Sequence, residues 1–159
     1  EYLDKIGAAV EARGEADFFV VARTDAVAAM GLDEALARVD AARAAGADAT
    51  FVEAPGSLAE LVEVGRLAPK PTVANMVEQG RTPVLPQAQL AEMGFTLILY
   101  PVTGLYASAH ALTTAYGHLR EQGTSAGSDD RLMAFDTFND LIGVDEKYAL
   151  ARKWSTEKD

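Results

Sequence analysis

Four short apolar runs, separated by segments with helical periodicity, constrain the fold of this 159-residue chain more than any other feature. The runs are DFFVVA (17–22), ATFVEA (49–54), TVANMV (72–77) and TLILYP (96–101). They are rich in Val, Ile, Phe and Thr and mostly lack alternating polar residues, which is typical of strands buried on both faces of a parallel sheet. The spacing predicts an α/β protein with about four β-α units.

Two architectures accommodate four such units: a small doubly wound sheet, or half of a (β/α)8 barrel. No G-x-G-x-x-G motif and no P-loop follows any of the four runs, so the usual nucleotide-binding signature of the doubly wound sheet is absent. The chain begins at Glu1, without an initiating Met, in a segment of helical character. We therefore expect it to be part of a longer polypeptide.

The C-terminal segment differs in character from the rest of the chain. SAGSDDR (125–131) predicts a polar linker, and apolar residues at helical spacing follow it. We therefore divide the chain into residues 1–124, which carry the β-α units, and residues 125–159, a linker with a helical extension. The apolar residues of this extension must either close the core or pack on another subunit.

Composition restricts the class of partner. The net charge is -10, which argues against nucleic acid because phosphate binding needs a basic surface. No run approaches the roughly 18 to 20 apolar residues of a membrane span, so a membrane partner is not expected. The absence of Cys excludes disulfides and a thiol nucleophile from this chain, and it fits a cytoplasmic location.

Polar residues lie at or just beyond the ends of the four predicted strands, where a parallel α/β fold binds its ligand. They are Arg23, Thr24, Asp25, Glu53, Asn75, Glu78, Tyr100 and Thr103. The Arg23 guanidinium offers a planar fork of donors for a carboxylate or phosphate. Glu53 is suited to hold a metal-bound water or to act in acid–base chemistry, and Asn75 offers both a donor and an acceptor.

Structural roles compete with these functional ones. Arg23 and Glu53 could form an ion pair that only neutralises charge, and Asn75 could only satisfy backbone groups at a strand end. Asp25 follows Arg23 by two residues, so in an extended segment both side chains point the same way. We expect Asp25 to orient the arginine or to cap the helix that follows.

The combination of ARTDA, GLDEAL, AGAD and EA, followed by PTVANMVEQGRTPVL and LAEMGFTLILYPVTG, resembles the isocitrate lyase and phosphoenolpyruvate mutase superfamily. The similarity is greatest to its methylisocitrate lyase, dimethylmalate lyase and carboxyphosphonoenolpyruvate phosphonomutase branch. This resemblance implies that the chain is the C-terminal half of a (β/α)8 barrel. It also implies a homodimer or tetramer in which the last helices are swapped onto a neighbouring subunit.

The resemblance also assigns roles to individual residues. Arg23 matches the arginine that binds the substrate carboxylate, and Glu53 matches a glutamate that acts near Mg²⁺, with Mn²⁺ as an alternative, through a water. Asn75, Met76 and Val77 match a segment that contacts the substrate, and Arg131 aligns with an arginine that some lyases use for it. The direct metal ligands and a loop with a catalytic cysteine are implied for the other half of the barrel.

The function that the resemblance implies is Mg²⁺-dependent carbon–carbon cleavage of a small 2-hydroxy di- or tricarboxylate. Methylisocitrate lyases carry an arginine for their tricarboxylate in the segment after YP, where this chain has Tyr106, so a substrate with fewer carboxylates is favoured. A phosphonate mutase or hydrolase is the first alternative. A half-barrel that serves only as a structural partner, without catalysis, is the second.

Overall fold

The computed structural model describes residues 1–155 and confirms the α/β organisation. Four parallel strands form one sheet in the order β1-β2-β3-β4, namely β1 (Val21–Thr24), β2 (Ala49–Val52), β3 (Thr72–Asn75) and β4 (Leu97–Leu99). The helices are α1 (Tyr2–Arg13), α2 (Ala26–Met30), α3 (Leu32–Ala44), α4 (Leu58–Leu67), α5 (Gln87–Met93), α6 (Thr103–Gln122), α7 (Phe135–Leu141) and α8 (Val144–Trp154). Each strand leads into at least one helix, which is the predicted β-α rhythm.

Two compact units make up the chain, Glu1–Leu105 and the part from Tyr106 onward. The first unit contains the whole sheet, and α6 begins in it and continues into the second. The predicted boundary after residue 124 marks a change in the character of the sequence, and it stays a prediction.

The prediction of strands buried on both faces is correct for the centre of the sheet and wrong for β1 and β4, and Leu97 of β4 is exposed. Every residue of β2 is buried, whereas Val21 and Arg23 of β1 are exposed and Ala22 and Thr24 are buried. The physical reason is position, because β1 and β4 are the edge strands among the described residues. The first strand also begins at Val21, where its register with Ala49 starts, so the exposed Phe18 and Phe19 precede it.

One face of the sheet packs against helices. Helix α3 lies against β1 and β2, and α4 contacts α5. The buried apolar residues of the largest cluster are Ala26, Val27, Ala35, Val39, Val52, Leu61, Val64, Ala68, Ala74, Met76, Leu90 and Phe95. Because side chains alternate along a strand, Arg23, Phe51, Val73 and Asn75 lie on the opposite face.

Two side chains cap the start of α4. Ser57 is the N-cap, and its Oγ accepts a 3.1 Å hydrogen bond from the Glu60 N–H. The Glu60 carboxylate accepts from the N–H of Gly56, at 2.5 Å, and not from the N-cap residue as in the usual capping box. Two backbone donors at the start of α4 are thereby satisfied.

The second unit exposes most of its apolar side chains. No residue of α6, α7 or α8 is buried among those described, and Phe135 and Trp154 are 78% and 73% exposed. In residues 1–155 no helix combines the length and the apolar character needed to cross a membrane. The exposed apolar side chains of the second unit lie on α6, α7 and α8 and in the segment between α6 and α7.

Candidate active site

Three of the predicted site residues meet at the carboxyl ends of neighbouring strands. Arg23 is in register with Phe51 on β2, and Glu53 follows Phe51 by two residues on the same face. The Glu53 N–H donates to the carbonyl of Thr24, at 3.0 Å, which extends the β1–β2 pairing to this residue. Asn75 is the last residue of β3. The sheet register thus brings Arg23, Glu53 and Asn75 to one edge.

Glu53 lies between the other two side chains. Its Oε2 is 3.4 Å from Arg23 Nη2, and Asn75 Nδ2 donates to the same carboxylate at 3.3 Å from Oε2 and 3.5 Å from Oε1. The Glu53 side chain is 20% exposed, so its charge lies in a partly desolvated environment. These contacts are long for charge-assisted hydrogen bonds, which leaves the carboxylate able to accept a further donor.

Arg23 is held on three sides. Its Nε donates a 2.8 Å hydrogen bond to Asp25 Oδ1, Nη2 faces Glu53, and the guanidinium carbon lies 5.1 Å from the centroid of the Phe51 ring. The hydrogen bond to Asp25, with a further attraction from Glu53, raises the pKa of Arg23 above its usual value. The side chain remains 48% exposed. It is therefore a fixed cation that is still accessible to an anionic ligand.

The structure distinguishes between the two roles expected of Asp25, which are orientation of Arg23 and capping of α2. Asp25 is the N-cap residue of α2, but its side chain makes no capping hydrogen bond. Thr24 Oγ1 accepts from the Ala26 N–H instead, at 3.3 Å. Asp25 therefore orients Arg23. The cation–π contact with Phe51 was not anticipated, although its signal was present, since Phe51 lies two residues before Glu53 on the same face.

The remaining predicted residues have less direct positions. The Met76 side chain is completely buried in the core, and its N–H donates to the Leu99 carbonyl, at 2.8 Å. Val77 is partly buried in the segment after β3. Arg131 belongs to the second unit, where its side chain is 46% exposed and forms a 3.9 Å ion pair with Asp130. The proposed substrate contacts of these three residues stay predictions.

A second polar pair joins the ends of β3 and β4. Thr103, the first residue of α6, donates its hydroxyl to Glu78 Oε1. The other carboxylate oxygen of Glu78 is enclosed and has no hydrogen-bond partner in the described structure, and the same holds for Asn75 Oδ1. Two acceptor atoms, one at the end of β3 and one in the segment that follows it, therefore have no donor among the described residues.

The described residues do not form a complete metal site by themselves. Within residues 1–155, no group of three or more His, Cys, Asp or Glu side chains could hold a metal ion. Mg²⁺ usually keeps several of its water ligands when a protein binds it. The Glu53 carboxylate could accept a hydrogen bond from such a water. The donor set thus fits an outer role for Glu53.

The family model for phosphoenolpyruvate phosphomutase matches residues 1–120. The chain belongs to this family. Among curated proteins, it is 44% identical over 154 residues to the petal death protein of Dianthus caryophyllus and 38% identical over 156 residues to the 2,3-dimethylmalate lyase of Eubacterium barkeri. These alignments cover 97% and 98% of this chain but 48% and 54% of the relatives, so this phosphoenolpyruvate phosphomutase family member spans about half of their length.

Solved structures confirm the fold of this family member. A crystal structure of 2,3-dimethylmalate lyase, described as a PEP mutase/isocitrate lyase superfamily member, superposes with a TM-score of 0.83 at 34% identity, over 97% of this chain and 55% of that one. Phosphonopyruvate hydrolase in complex with oxalate and Mg²⁺ superposes with a TM-score of 0.78 at 27% identity, over 97% and 55% of the two chains. The parallel α/β sheet corresponds to about half of the TIM-type barrel of these proteins.

Proposed function

We propose that this chain supplies the substrate-carboxylate site of a Mg²⁺-dependent carbon–carbon lyase that acts on a small 2-hydroxy dicarboxylate. The observation that carries the proposal is the contact of Arg23, Glu53 and Asn75 at the carboxyl ends of three adjacent parallel strands. Ligands of parallel α/β folds bind at this edge. The similarity to a 2,3-dimethylmalate lyase supports the class of substrate.

Arg23 would bind the carboxylate of the 2-oxo acid half. Its guanidinium is fixed by Asp25 and supported by the Phe51 ring, so little rotational freedom is lost when a ligand binds. A base removes the proton of the substrate hydroxyl, the adjacent carbon–carbon bond breaks, and its electron pair leaves with the other half as an enolate. Protonation of that enolate completes the reaction, and we expect the proton donor outside this sequence, which contains no Cys.

Magnesium, or manganese in its place, would supply positive charge for the oxo-acid oxygens. Glu53 would accept a hydrogen bond from a metal-bound water, while its contact with Asn75 Nδ2 holds the carboxylate in orientation. Carboxylates outnumber the single cation in this cluster, because Asp25 and Glu53 both lie against Arg23. A dianionic substrate would therefore need the additional positive charge of a divalent ion.

Phosphonate chemistry is the second candidate. The family model and the phosphonopyruvate hydrolase structure favour it. Arg23 and Mg²⁺ would bind a pyruvate-like enolate in the same way during cleavage of a phosphorus–carbon bond. The third candidate is a non-catalytic structural role for the half-barrel, which the two open sheet edges of the described chain favour.

Assembly through the second unit is part of the proposal. Its helices expose large apolar side chains, such as Phe135 and Leu141, that a neighbouring subunit in a dimer or tetramer would cover. Helix swapping would achieve this, and we propose a cytoplasmic homo-oligomer.

The decisive experiment follows the products by NMR when a full-length protein that contains this chain is incubated with 2,3-dimethylmalate, 2-methylisocitrate or phosphonopyruvate. We expect a 2-oxo acid from the first substrate, with Mg²⁺ and not with EDTA. Release of inorganic phosphate from phosphonopyruvate alone would replace the lyase proposal with the hydrolase alternative. No turnover of any substrate, with or without Mg²⁺, would contradict both enzymatic proposals.

A further inference from the structure

Phe51 is a buried aromatic residue that lies outside the apolar core. It is 7% exposed, yet neither of the two clusters of buried apolar residues in the described chain includes it. Its register with Arg23 places its side chain on the face of the sheet that carries Asn75, opposite the larger cluster. A buried ring in this position requires an explanation other than packing in the core.

The ring lies against the guanidinium of Arg23. The guanidinium carbon is 5.1 Å from the ring centroid, which is within the range of a cation–π interaction. The Arg23 side chain is 48% exposed, whereas the ring is almost fully withdrawn from water. The attraction between the two groups is therefore only partly screened by solvent.

The polar contacts of Arg23 hold its guanidinium along one edge. Nε donates to Asp25 Oδ1, at 2.8 Å, and Nη2 faces Glu53 Oε2, at 3.4 Å. Nη1, on the outer edge of the fork, makes no hydrogen bond to a described residue. Contacts along one edge allow the guanidinium to rotate about that edge, and this rotation changes the direction of the outer edge. Among the described contacts, the Phe51 ring face is the one that opposes it.

We propose that Phe51 is a positioning residue, whose ring face fixes the plane of the Arg23 guanidinium so that its outer edge meets the substrate carboxylate. The inference rests on the proposed function, because it concerns how the same site binds its anionic substrate. Phe51 acts through Arg23 and needs no contact with the substrate itself. A carboxylate accepts two parallel hydrogen bonds from a guanidinium edge only when the two groups are close to coplanar.

Packing is the competing explanation for the buried ring. Any apolar side chain of similar size at position 51 would fill the space beside β2, and its loss would lower stability. The two explanations differ in what they require of the ring. A cation–π interaction depends on the negative charge of the ring face, whereas packing depends only on shape. Fluorine atoms on the ring withdraw that charge and change the shape little, so a fluorinated phenylalanine separates the two explanations.

The experiment uses a full-length protein that contains this chain, with Mg²⁺ present. Calorimetry measures the Kd of malate, and steady-state kinetics measure kcat and KM for the substrate identified by product analysis. Phe51→Leu removes the ring and keeps much of the apolar volume. A trifluorinated phenylalanine incorporated at position 51 keeps the ring and weakens its attraction for a cation.

Both changes should raise the Kd of malate and the KM by roughly two- to fivefold, the loss expected when a partly exposed cation–π contact is removed. The value of kcat should stay within about twofold, because binding energy shared by the ground state and the transition state affects KM alone. Phe95→Leu is the matched control. Its ring is 5% exposed, lies 6.0 Å from the Lys70 ammonium and precedes β4, at the opposite end of the sheet. This variant should melt at a lower temperature and leave Kd and KM unchanged.

Two results of the binding measurements overturn the inference. The first is an unchanged Kd in Phe51→Leu. The second is a trifluorinated variant that binds malate like the wild type, because the ring then acts by shape alone. If Phe51→Leu does not fold, the trifluorinated variant decides, since it retains the packing of the ring.

A crystal structure of each variant without ligand gives a readout that does not depend on the proposed function. The Arg23 guanidinium should turn away from its wild-type plane, and an unchanged plane overturns the inference. If the wild type neither binds malate nor turns over any substrate, the proposed function fails, and the crystal structures decide the role of Phe51.

Discussion

Arg23 Nε and Asp25 Oδ1 are joined by a 2.8 Å hydrogen bond, although both residues belong to the same short stretch at the end of β1. The side chains point the same way because the chain is extended there, and Glu53 from the next strand faces the other side of the guanidinium at 3.4 Å. The two carboxylates thus fix the plane of the arginine fork before any ligand binds. The contribution of Arg23 to ligand binding can therefore be tested by substitution.

Replacement of Arg23 by Ala should lower kcat/KM by about 10²- to 10³-fold, because it removes a charged donor from the reacting anion. Arg23→Lys keeps the charge but loses the planar fork, so it should recover only part of that loss. The measurement is steady-state kinetics on the substrate identified by product analysis. Arg66→Ala, an exposed arginine of α4, is the control. Near-normal kcat/KM in Arg23→Ala would show that the contact between Arg23 and Glu53 is only a structural ion pair.

Glu53→Gln should weaken the apparent affinity for Mg²⁺ by about 10- to 100-fold, the usual effect of losing a group that orients a metal ligand. The amide can still contact Asn75, so the local packing should be retained. Titration of activity, and of heat, against Mg²⁺ measures the change. If Glu53 only neutralises Arg23, the variant will lose thermal stability and bind the metal normally.

Asp48 should give the protein an acid-sensitive contribution to stability. A hydrogen bond from the Val20 N–H, at 2.7 Å, and the nearby charge of Arg13 lower the pKa of Asp48. A lowered carboxyl pKa stabilises the fold above the unfolded-state value of about 3.9, and the contribution disappears as the pH falls through the lower folded-state value.

Thermal melts of Asp48→Asn across that range test this effect. The variant should melt below the wild type at pH 7, and the difference should shrink as the pH falls below about 4. Asp17→Asn, at an exposed position, should show no such convergence. A difference in melting temperature that is independent of pH would contradict the assignment.

Two helical glycines should respond in opposite directions to the same substitution. A Cβ atom at Gly65 in α4 would lie 2.5 Å from the backbone oxygen of Met93 in α5, so Gly65→Ala forces the helices apart. Overpacking of this kind costs about 1 to 3 kcal/mol, which exceeds the gain in helix propensity.

The matched substitution at Gly7 in α1 meets no atom within 4 Å and should stabilise the protein by roughly 0.5 to 1 kcal/mol. Chemical denaturation measures both free energies of unfolding. Equal effects at the two positions would show that the approach of α4 to α5 is looser than the structure indicates.

The exposed apolar side chains of the second unit provide a test of assembly. Phe135→Glu and Leu141→Glu, at positions 78% and 69% exposed, should shift the protein towards the monomer, because a charge would be buried in the contact between subunits. Sedimentation velocity measures the change. Improved solubility at an unchanged sedimentation coefficient would show that these side chains lie outside the interface.

Strand positions and the candidate site residues could be predicted from the sequence, since apolar runs and the polar residues at their ends are local features. The limits of β1 were not, because Phe18 and Phe19 have the same local character as a strand but no partner on β2. Met76 illustrates the same limit at the site. Its neighbour Asn75 lies on the same face of the sheet as Arg23, whereas the Met76 side chain is buried in the core.

The sequence alone determined the α/β class and the family, and it indicated Arg23, Glu53 and Asn75 as candidate site residues, because each of these depends on residue types and short spacings. Only the tertiary structure decided that Asp25 orients Arg23 and does not cap α2, that Phe51 supports the guanidinium, and that Glu78 is held by Thr103 with one oxygen unpaired. These relationships depend on the register between strands and on distances across loops. A one-dimensional pattern does not contain them, because sheet pairing joins residues that lie tens of positions apart in the chain.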